Sequence, residues 1–507
     1  MGNIERNTKR AEEREYDLII IGGGIHGAML ALEATRYNLC PLLIEKDDFG
    51  GSTSYNSLRI IHGGFRYFQQ LDLRRLLESA YERQWFLKTF PEYVKPLACL
   101  MPLYGNGLHR SSILGLALST YNVLTYRRNS QVRSDRHIPS GKILSTSETL
   151  QACPHINPNG LKGGAVWYDA YMENSQPIIM GLLRWANEFG ATTLNYVEGK
   201  NLIKSNGKVR GVEALDHISG QHYTYHSSIV VNAAGPWCRE LAQHFDRDNP
   251  DLFRSMIAWN ILFSKKMLSQ FAIAVNPNRT QGQTYFIVPW KGLLMAGTGH
   301  APWHLKERRP YLSADQIRLF CHDLNAALPG IDLAEKDILH TFPGLQSAKQ
   351  SGGTQFATRD IIFNHGRSGG PKGLYSISGI KFTTSRRFAA KALKAIYLNK
   401  VNNALRPNRI WNPPKDSFKD NRIFDFEWTP KNYDNSWVEN LMPLIKEEAV
   451  EHLDDLIFRR TNIGDNGNRA RQIAPLLCKL FYWDEKRCES EIGRVQSQLY
   501  MTNEFIY

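Results

Sequence analysis

The stretch YDLIIIGGGIHGAMLALEATRYNLCPLLIEKDD at residues 16–48 constrains the fold more than any other part of the chain. An apolar run from Leu18 to Ile21 meets a glycine turn, a helical pattern follows, and a second apolar run ends in Glu45. Gly22, Gly24 and Gly27 form G-x-G-x-x-G, and Glu45 lies 23 positions after the first glycine. That order of strand, turn, helix, strand and acid predicts a dinucleotide-binding βαβ unit. Gly22 serves the tight turn, Gly24 admits a pyrophosphate, Gly27 lets helix pack on strand, the helix N-terminus attracts phosphate, and Glu45 accepts ribose hydroxyls.

Two further glycine-bearing turns follow apolar runs. LRIIHGGFRY at 58–67 places His62, Gly63, Gly64, Arg66 and Tyr67 at the end of a strand-like segment. Such a sequence suits either a tight turn around a buried, bonded histidine or a backbone that approaches a flat ligand. SIVVNAAGPW at 228–237 repeats the idea with Ala233, Ala234 and Gly235. It reads equally as a strand-to-helix turn or as a second approach to the same ligand.

The chain holds one G-x-G-x-x-G in 507 residues, which leaves room for one dinucleotide and gives no sign of a second, nicotinamide-binding unit. An enzyme whose own substrate delivers the electrons fits that count better than one fed by NADPH. The formal net charge of +13 favours anionic partners such as phosphorylated substrates, nucleotides or acidic lipid surfaces. Nucleic acid is disfavoured, because no zinc-finger spacing, RNP-like motif or long basic run is present. Seven scattered cysteines without a C-x-x-C pair argue against a disulfide framework and against a metal site, and fit a reducing, cytoplasmic compartment. The charged N-terminus lacks an apolar signal core, and no run reaches the roughly 18 apolar residues of a membrane span.

Residues 80–160 read as largely helical and aromatic-rich, 163–176 as a strand, 192–232 as a meander, and 253–340 as further strands followed by a helix opened by Ser313. LYSISGIKFTTSRRFAAKALKAIYL at 374–398 reads as strand, glycine turn and a helix begun near Thr383.

The ordered set DLIIIGGGIHGA, LIEKDDFGGSTSYNSLRIIHGGFRYF, VVNAAGPW and SISGIKFTTSRR resembles the FAD-dependent glycerol-3-phosphate dehydrogenases and oxidases of the D-amino-acid-oxidase-like superfamily. The resemblance implies an α/β fold: a Rossmann-like FAD-binding domain, an antiparallel-sheet substrate or cap domain, and a C-terminal helical region. It divides the chain into a charged leader at 1–16, an FAD-binding domain at 17–80, 160–250 and 341–400, a cap domain at 81–159 and 251–340, a linker at 401–420, and a helical region at 421–507. FAD is the implied cofactor. Beside Gly22, Gly24, Gly27 and Glu45, the resemblance places Ile25, His26, Lys46, Ser52, Thr53, Ser54, Ser57, His62, Val197, Ala233, Ala234, Gly235, Gly379, Lys381 and Thr383 against it. Arg66 and Tyr67 fall in the implied substrate pocket. His62 is the expected proton acceptor, and Lys381 with the following helix N-terminus the expected positive charge beside the electron-accepting ring.

The chain departs from the family's pattern where the substrate phosphate is expected. Gln346 in GLQSA and Asn260 in AWNILF stand where the family carries an arginine and a histidine, while Arg359 in FATRD keeps the second phosphate arginine. His300 in GTGH either replaces the lost histidine or caps a loop. The implied reaction is hydride removal from a C–H of a small, polar, anionic polyol-like molecule, with quinone or oxygen as the electron acceptor. Amine or amino-acid oxidation and a non-catalytic flavin scaffold are the competing readings. Net charge and the aromatic segment at 80–130 add the expectation of peripheral contact with the inner face of an anionic membrane.

Overall fold

The structure is a computed structural model that describes residues 3–105, 111–267, 269–277, 283–304, 310–397 and 436–500. The expected linker at 401–420, and the first part of the expected helical region, lie outside these residues.

A six-stranded sheet carries the nucleotide fingerprint. Its order is Ile361–Asn364, Leu374–Ser378, Val230–Asn232, Leu18–Ile21, Pro41–Ile44 and Thr192–Leu194. All neighbours run parallel except Ile361–Asn364 against Leu374–Ser378. The Leu18–Ile21 strand is central and buried along its length, which is why it reads as an unbroken apolar run instead of an alternating one. Ile25–Arg36 is the crossover helix, packed between helices Gln176–Glu188 and Ser385–Tyr397 over the largest apolar core. A three-stranded antiparallel meander, Val197–Ser205, Lys208–Asp216 and His222–His226, lies over the other face and shares a core with Ile19, Leu42 and Val230.

The second sheet is mostly antiparallel, in the order Ile338–Ser347, Ser255–Lys266, Leu293–Pro302, Tyr285–Trp290, Ala272–Val275, Val94–Leu103, Gly163–Met172 and Ile60–Ile61. It draws on residues from both sides of the expected boundaries at 80, 160 and 341. Helix Ala314–Ala327, opened by a Ser313–Gln316 capping box, covers one face, where Ile317, Phe320 and Leu324 pack on Ile257, Trp259 and Ile261. The alternate residues of the same strand, Asn260 among them, point to the opposite face. One local expectation fails: 80–160 is not largely helical, because Val94–Leu103 is a strand paired along its whole length with Gly163–Met172. Pro96 and Pro102 remove two donors there, so local propensity is weak and the pairing partner decides.

Residues 436–500 form a helical unit with its own apolar core around Leu453, Leu456, Ile473 and Leu477. A buried ion network bolts it to the nucleotide-binding sheet. Asp48, 3 % exposed, accepts from Arg459 Nε at 2.6 Å, from Arg460 Nη1 at 2.7 Å and Nη2 at 2.8 Å, and from Asn195 Nδ2 at 2.9 Å. Burial alone would raise this carboxyl, but the two guanidiniums hold it far below the ordinary aspartate range. The N-terminal segment joins the same seam: Ile4 N donates to Glu447 O at 2.8 Å and Arg6 pairs with Asp216.

Arg460→Met leaves a buried carboxylate short of a bidentate partner. The expected loss is about 3–5 kcal/mol of unfolding free energy, read from urea denaturation followed by circular dichroism. A change within about 0.5 kcal/mol, the range of ordinary surface substitutions, would show that the network is not a structural bolt.

Candidate active site

The glycines of the fingerprint sit where no side chain fits. Gly22 has φ +118°, and a Cβ there would lie 2.5 Å from Ala233 O. A Cβ on Gly27 would lie 1.9 Å from Gly22 O, so helix and strand touch through bare backbone. Gly24 precedes the Ile25–Arg36 helix without a side-chain cap of its own, and Ser54 Oγ, 3.0 Å from Ile25 N, receives one of the free N–H groups. Glu45 closes the turn: its Oε2 accepts from Gly23 N at 2.6 Å and its Oε1 from Asp47 N at 3.0 Å, while burial raises its carboxyl. Each oxygen keeps a lone pair for a ribose hydroxyl. Val197 N donates to Glu45 O at 2.7 Å, Ala233 N to Ile21 O at 2.8 Å, and Ala234 N to Asn232 Oδ1 at 3.2 Å. The Lys46 ammonium lies 4.7 Å from the centre of the Trp237 ring, just past Gly235.

Around this cradle the loop at 52–57 is tied to the large sheet. Thr53 Oγ1 donates to Leu345 O at 3.0 Å, and Asn260 Nδ2 donates to Asn56 O at 3.1 Å. Ser57 Oγ accepts from Arg59 N at 3.4 Å, and Ser52 O accepts from Tyr55 N at 2.9 Å. Gly379 abuts His26 so closely that a Cβ would lie 2.2 Å from the ring. Burial lowers His26 to about 4, so the ring is neutral, and its Nδ1 is buried with no partner. A phosphate-ready helix end, a buried acid with spare lone pairs and an orphaned ring nitrogen together suit an elongated dinucleotide carrying polar groups along its length. FAD is such a molecule.

His62 follows the Ile60–Ile61 strand, and its Nδ1 lies 3.1 Å from Asp169 Oδ2. Asp169 Oδ1 accepts from Gly63 N at 2.6 Å, and the buried Arg83 stands 3.8 Å away. Burial would raise the Asp169 carboxyl, yet His62, Arg83 and the Gly63 N–H outweigh it and hold it below the ordinary range. An ionised carboxylate only accepts, so the His62 proton is fixed on Nδ1 and Nε2 is left as the basic atom. The His62 side chain is 46 % exposed, which leaves Nε2 open to a ligand. Asp169 is the site residue that motif reading missed. Its signal was present as a lone acid inside the apolar strand GGAVWYDAYM, where burial demands a partner.

Lys381 reaches the Tyr67 ring at 4.2 Å from its centre, and burial together with the nearby Arg66 lowers its ammonium to about 8. Arg66 in turn feels Asp169, so one electrostatic neighbourhood joins His62, Arg66, Tyr67 and Lys381. Thr383 is buried beside it. The other expected substrate residues differ. Asn260, 2 % exposed, donates Nδ2 to Asn56 O at 3.1 Å and accepts at Oδ1 from Thr298 Oγ1 at 3.1 Å, so both ends of its amide hold the wall. Gln346 shares a strand face with Gly344, where a Cβ would lie 3.6 Å from Asn56 and Thr53, and its amide makes no hydrogen bond among the described residues. Arg359 is exposed and makes no ion pair or hydrogen bond among the described residues. His300 Nδ1 lies 2.9 Å from Gln283 Nε2 and its ring packs on Phe356, which fits the loop-capping role.

The family described as DAO, FAD dependent oxidoreductase, matches residues 17–385. A glycerol-3-phosphate dehydrogenase of Synechocystis is 30% identical over 406 residues, 77% of this chain and 72% of the relative. An aerobic glycerol-3-phosphate dehydrogenase of Staphylococcus haemolyticus is 28% identical over 407 residues, 78% of this chain and 70% of the relative. Among solved structures, the glycerol-3-phosphate dehydrogenase of Bacillus halodurans complexed with FAD superposes with TM-score 0.75 at 19% identity, covering 98% of this chain and 96% of that one. L-α-glycerophosphate oxidase of Mycoplasma pneumoniae with FAD bound gives TM-score 0.54 at 15% identity over 76% of this chain and 95% of that one.

Proposed function

The chain belongs to the FAD dependent oxidoreductase family, and from that premise we propose that it oxidises the carbinol of a small anionic polyol of the glycerol 3-phosphate class. Bound FAD supplies the hydride acceptor. The cradle residues that would hold it are Gly22, Gly24, Ile25, His26, Gly27 and Glu45, with the 52–57 loop, Ala233–Gly235 and Gly379–Thr383 along its length. The observation that carries the reading is the His62–Asp169 pair, since it leaves a basic Nε2 on a half-exposed ring. As the C–H bond breaks, Nε2 takes the substrate hydroxyl proton, and Asp169 steadies the resulting imidazolium through Nδ1–H. Arg66 and Lys381 supply positive charge for the substrate anion, and Tyr67 holds Lys381 in place through its ring face. An intact proton acceptor weighs against a non-catalytic scaffold, and the sequence relatives, named as dehydrogenases of an alcohol, weigh against amine oxidation.

His62→Asn is expected to slow anaerobic flavin bleaching by about 10²–10⁴-fold while FAD stays bound. Asp169→Asn, which no longer fixes the tautomer, should slow it by at least about 10²-fold. Unchanged bleaching rates in both variants would remove His62 as the base.

Specificity turns on Gln346. A neutral amide at the strand face beside the 52–57 loop leaves a phosphate dianion with less positive charge than a guanidinium would give. Wild-type protein should therefore need high glycerol 3-phosphate, and Gln346→Arg should improve apparent affinity by about tenfold, equivalent to roughly 1.4 kcal/mol. Rapid reduction of the wild type at micromolar concentration, untouched by the substitution, would show that Gln346 does not meet the phosphate.

A second part of the proposal concerns location. Among the described residues no helix is long and apolar enough to cross a membrane. Ile113, Leu116 and Val123 lie on one exposed face of the Ser111–Leu124 helix, followed by the exposed Tyr126 and Arg127. Apolar side chains edged by cations suit peripheral contact with an anionic surface, and electrons could then pass to a quinone there as well as to oxygen. Flotation with anionic vesicles at low salt should carry the protein upward, and Leu116→Asp with Val123→Asp should leave it at the bottom. Wild-type protein left at the bottom would refute the contact.

A further inference from the structure

A cavity of about 750 Å³ lies between the Leu73–Thr89 and Ser385–Tyr397 helices and borders the proposed cradle, with Tyr67, Ile380 and Lys381 in its wall. Its volume is that of an organic ligand, far beyond an inorganic ion. Its charges do not cancel. Arg74 and Arg387 share the single carboxylate of Glu78, at 2.9 and 2.7 Å, and Arg75 is paired with Asp72 at 3.2 Å. Lys391, which acts electrostatically on Asp360, and Lys394, three residues on, are exposed and make no ion pair or hydrogen bond among the described residues. The remaining acid, Asp360, spends one oxygen on Ile380 N at 3.0 Å, and burial raises its carboxyl. The cavity's wall also has an apolar part, made by the half-buried Tyr37 and Leu39 with the edges of the buried Phe388, Leu393 and Tyr397. A cationic rim over an apolar floor discriminates against free phosphate, which cannot use the floor, and against neutral lipids, which cannot use the rim.

We propose that this cavity binds an amphipathic organic anion, a phosphate or carboxylate joined to an apolar body, with the head at Lys391 and Lys394 and the body against Tyr37 and Leu39. Because Lys381 and Tyr67 line both this cavity and the neighbourhood of His62, an anion here competes for the Lys381 charge. Occupancy should raise KM for an anionic substrate and leave kcat unchanged.

The test uses the holoenzyme and reads binding without turnover, so it stands apart from the identity of the oxidised substrate. Decyl phosphate, kept below its micelle concentration, is titrated by calorimetry against inorganic phosphate and decanol. One site per chain is expected, at least tenfold tighter than either control. Lys391→Glu with Lys394→Glu should weaken it at least tenfold, and Ala390→Trp, which fills the cavity and keeps every charge, should abolish it, with circular dichroism and melting unchanged in both. The proposal is overturned by absence of binding, by more than one site per chain, by decanol binding as tightly, or by full affinity in the filled variant. Binding to anionic vesicles without binding to monomeric decyl phosphate would also overturn it, since the lysines would then form a surface patch.

Discussion

The buried carboxylate of Asp48 is the constraint on which the rest of the molecule leans. It stands three residues after Glu45 and two before Gly50, whose N–H donates to Gly23 O at 3.0 Å, so it lies within the short run that shapes the nucleotide turn. A bare carboxylate there would be intolerable in an apolar interior, and two arginines from the far end of the chain make it tolerable. The helical unit is thereby part of the cofactor site at one remove. It touches none of the cradle's glycines, yet it fixes the backbone that brings Glu45 and Gly23 together.

A similar economy governs the reacting end. The large sheet's inner face supplies Asp169 from one strand, the anchor of the 52–57 loop from Asn260 on another, and His62 from the end of a two-residue strand. The two sheets meet at that loop, which the nucleotide fold approaches through Ser54 and the large sheet through Thr53 and Asn56. The proposed cofactor cradle and the proposed proton acceptor are therefore positioned by one shared segment, and shifting it would move both.

The fingerprint was legible because each part of it is local: the glycines, the buried strand and the acid all fall within one stretch of sequence and obey steric rules that hold anywhere. The Ser313-capped helix was legible for the same reason, whereas His62 and Lys381 were singled out through the family resemblance. Asp169 was not, since a carboxylate's role depends on which strand the sheet brings beside it. The same holds for the Val94–Leu103 strand, whose prolines speak against strand and whose pairing partner settles the matter. Asn260 was found as a residue, but its bonds to Asn56 and Thr298 were not legible, because substitution patterns show that a position matters and not which way its amide turns. Asp48 lay in plain view within LIEKDDFGG, but its partners stand 411 and 412 residues away.

That separation has a consequence for the order of events as the chain is made. The ribosome delivers Asp48 411 residues before Arg459 and 412 before Arg460. Until they arrive, Asp48 keeps its shell of water and resists burial, and the segment from Glu45 to Gly51 stays open. The nascent βαβ unit, whose helix also packs on Gln176–Glu188 and Ser385–Tyr397, thus lacks part of its final packing and the partners of Asp48 until these later segments are made.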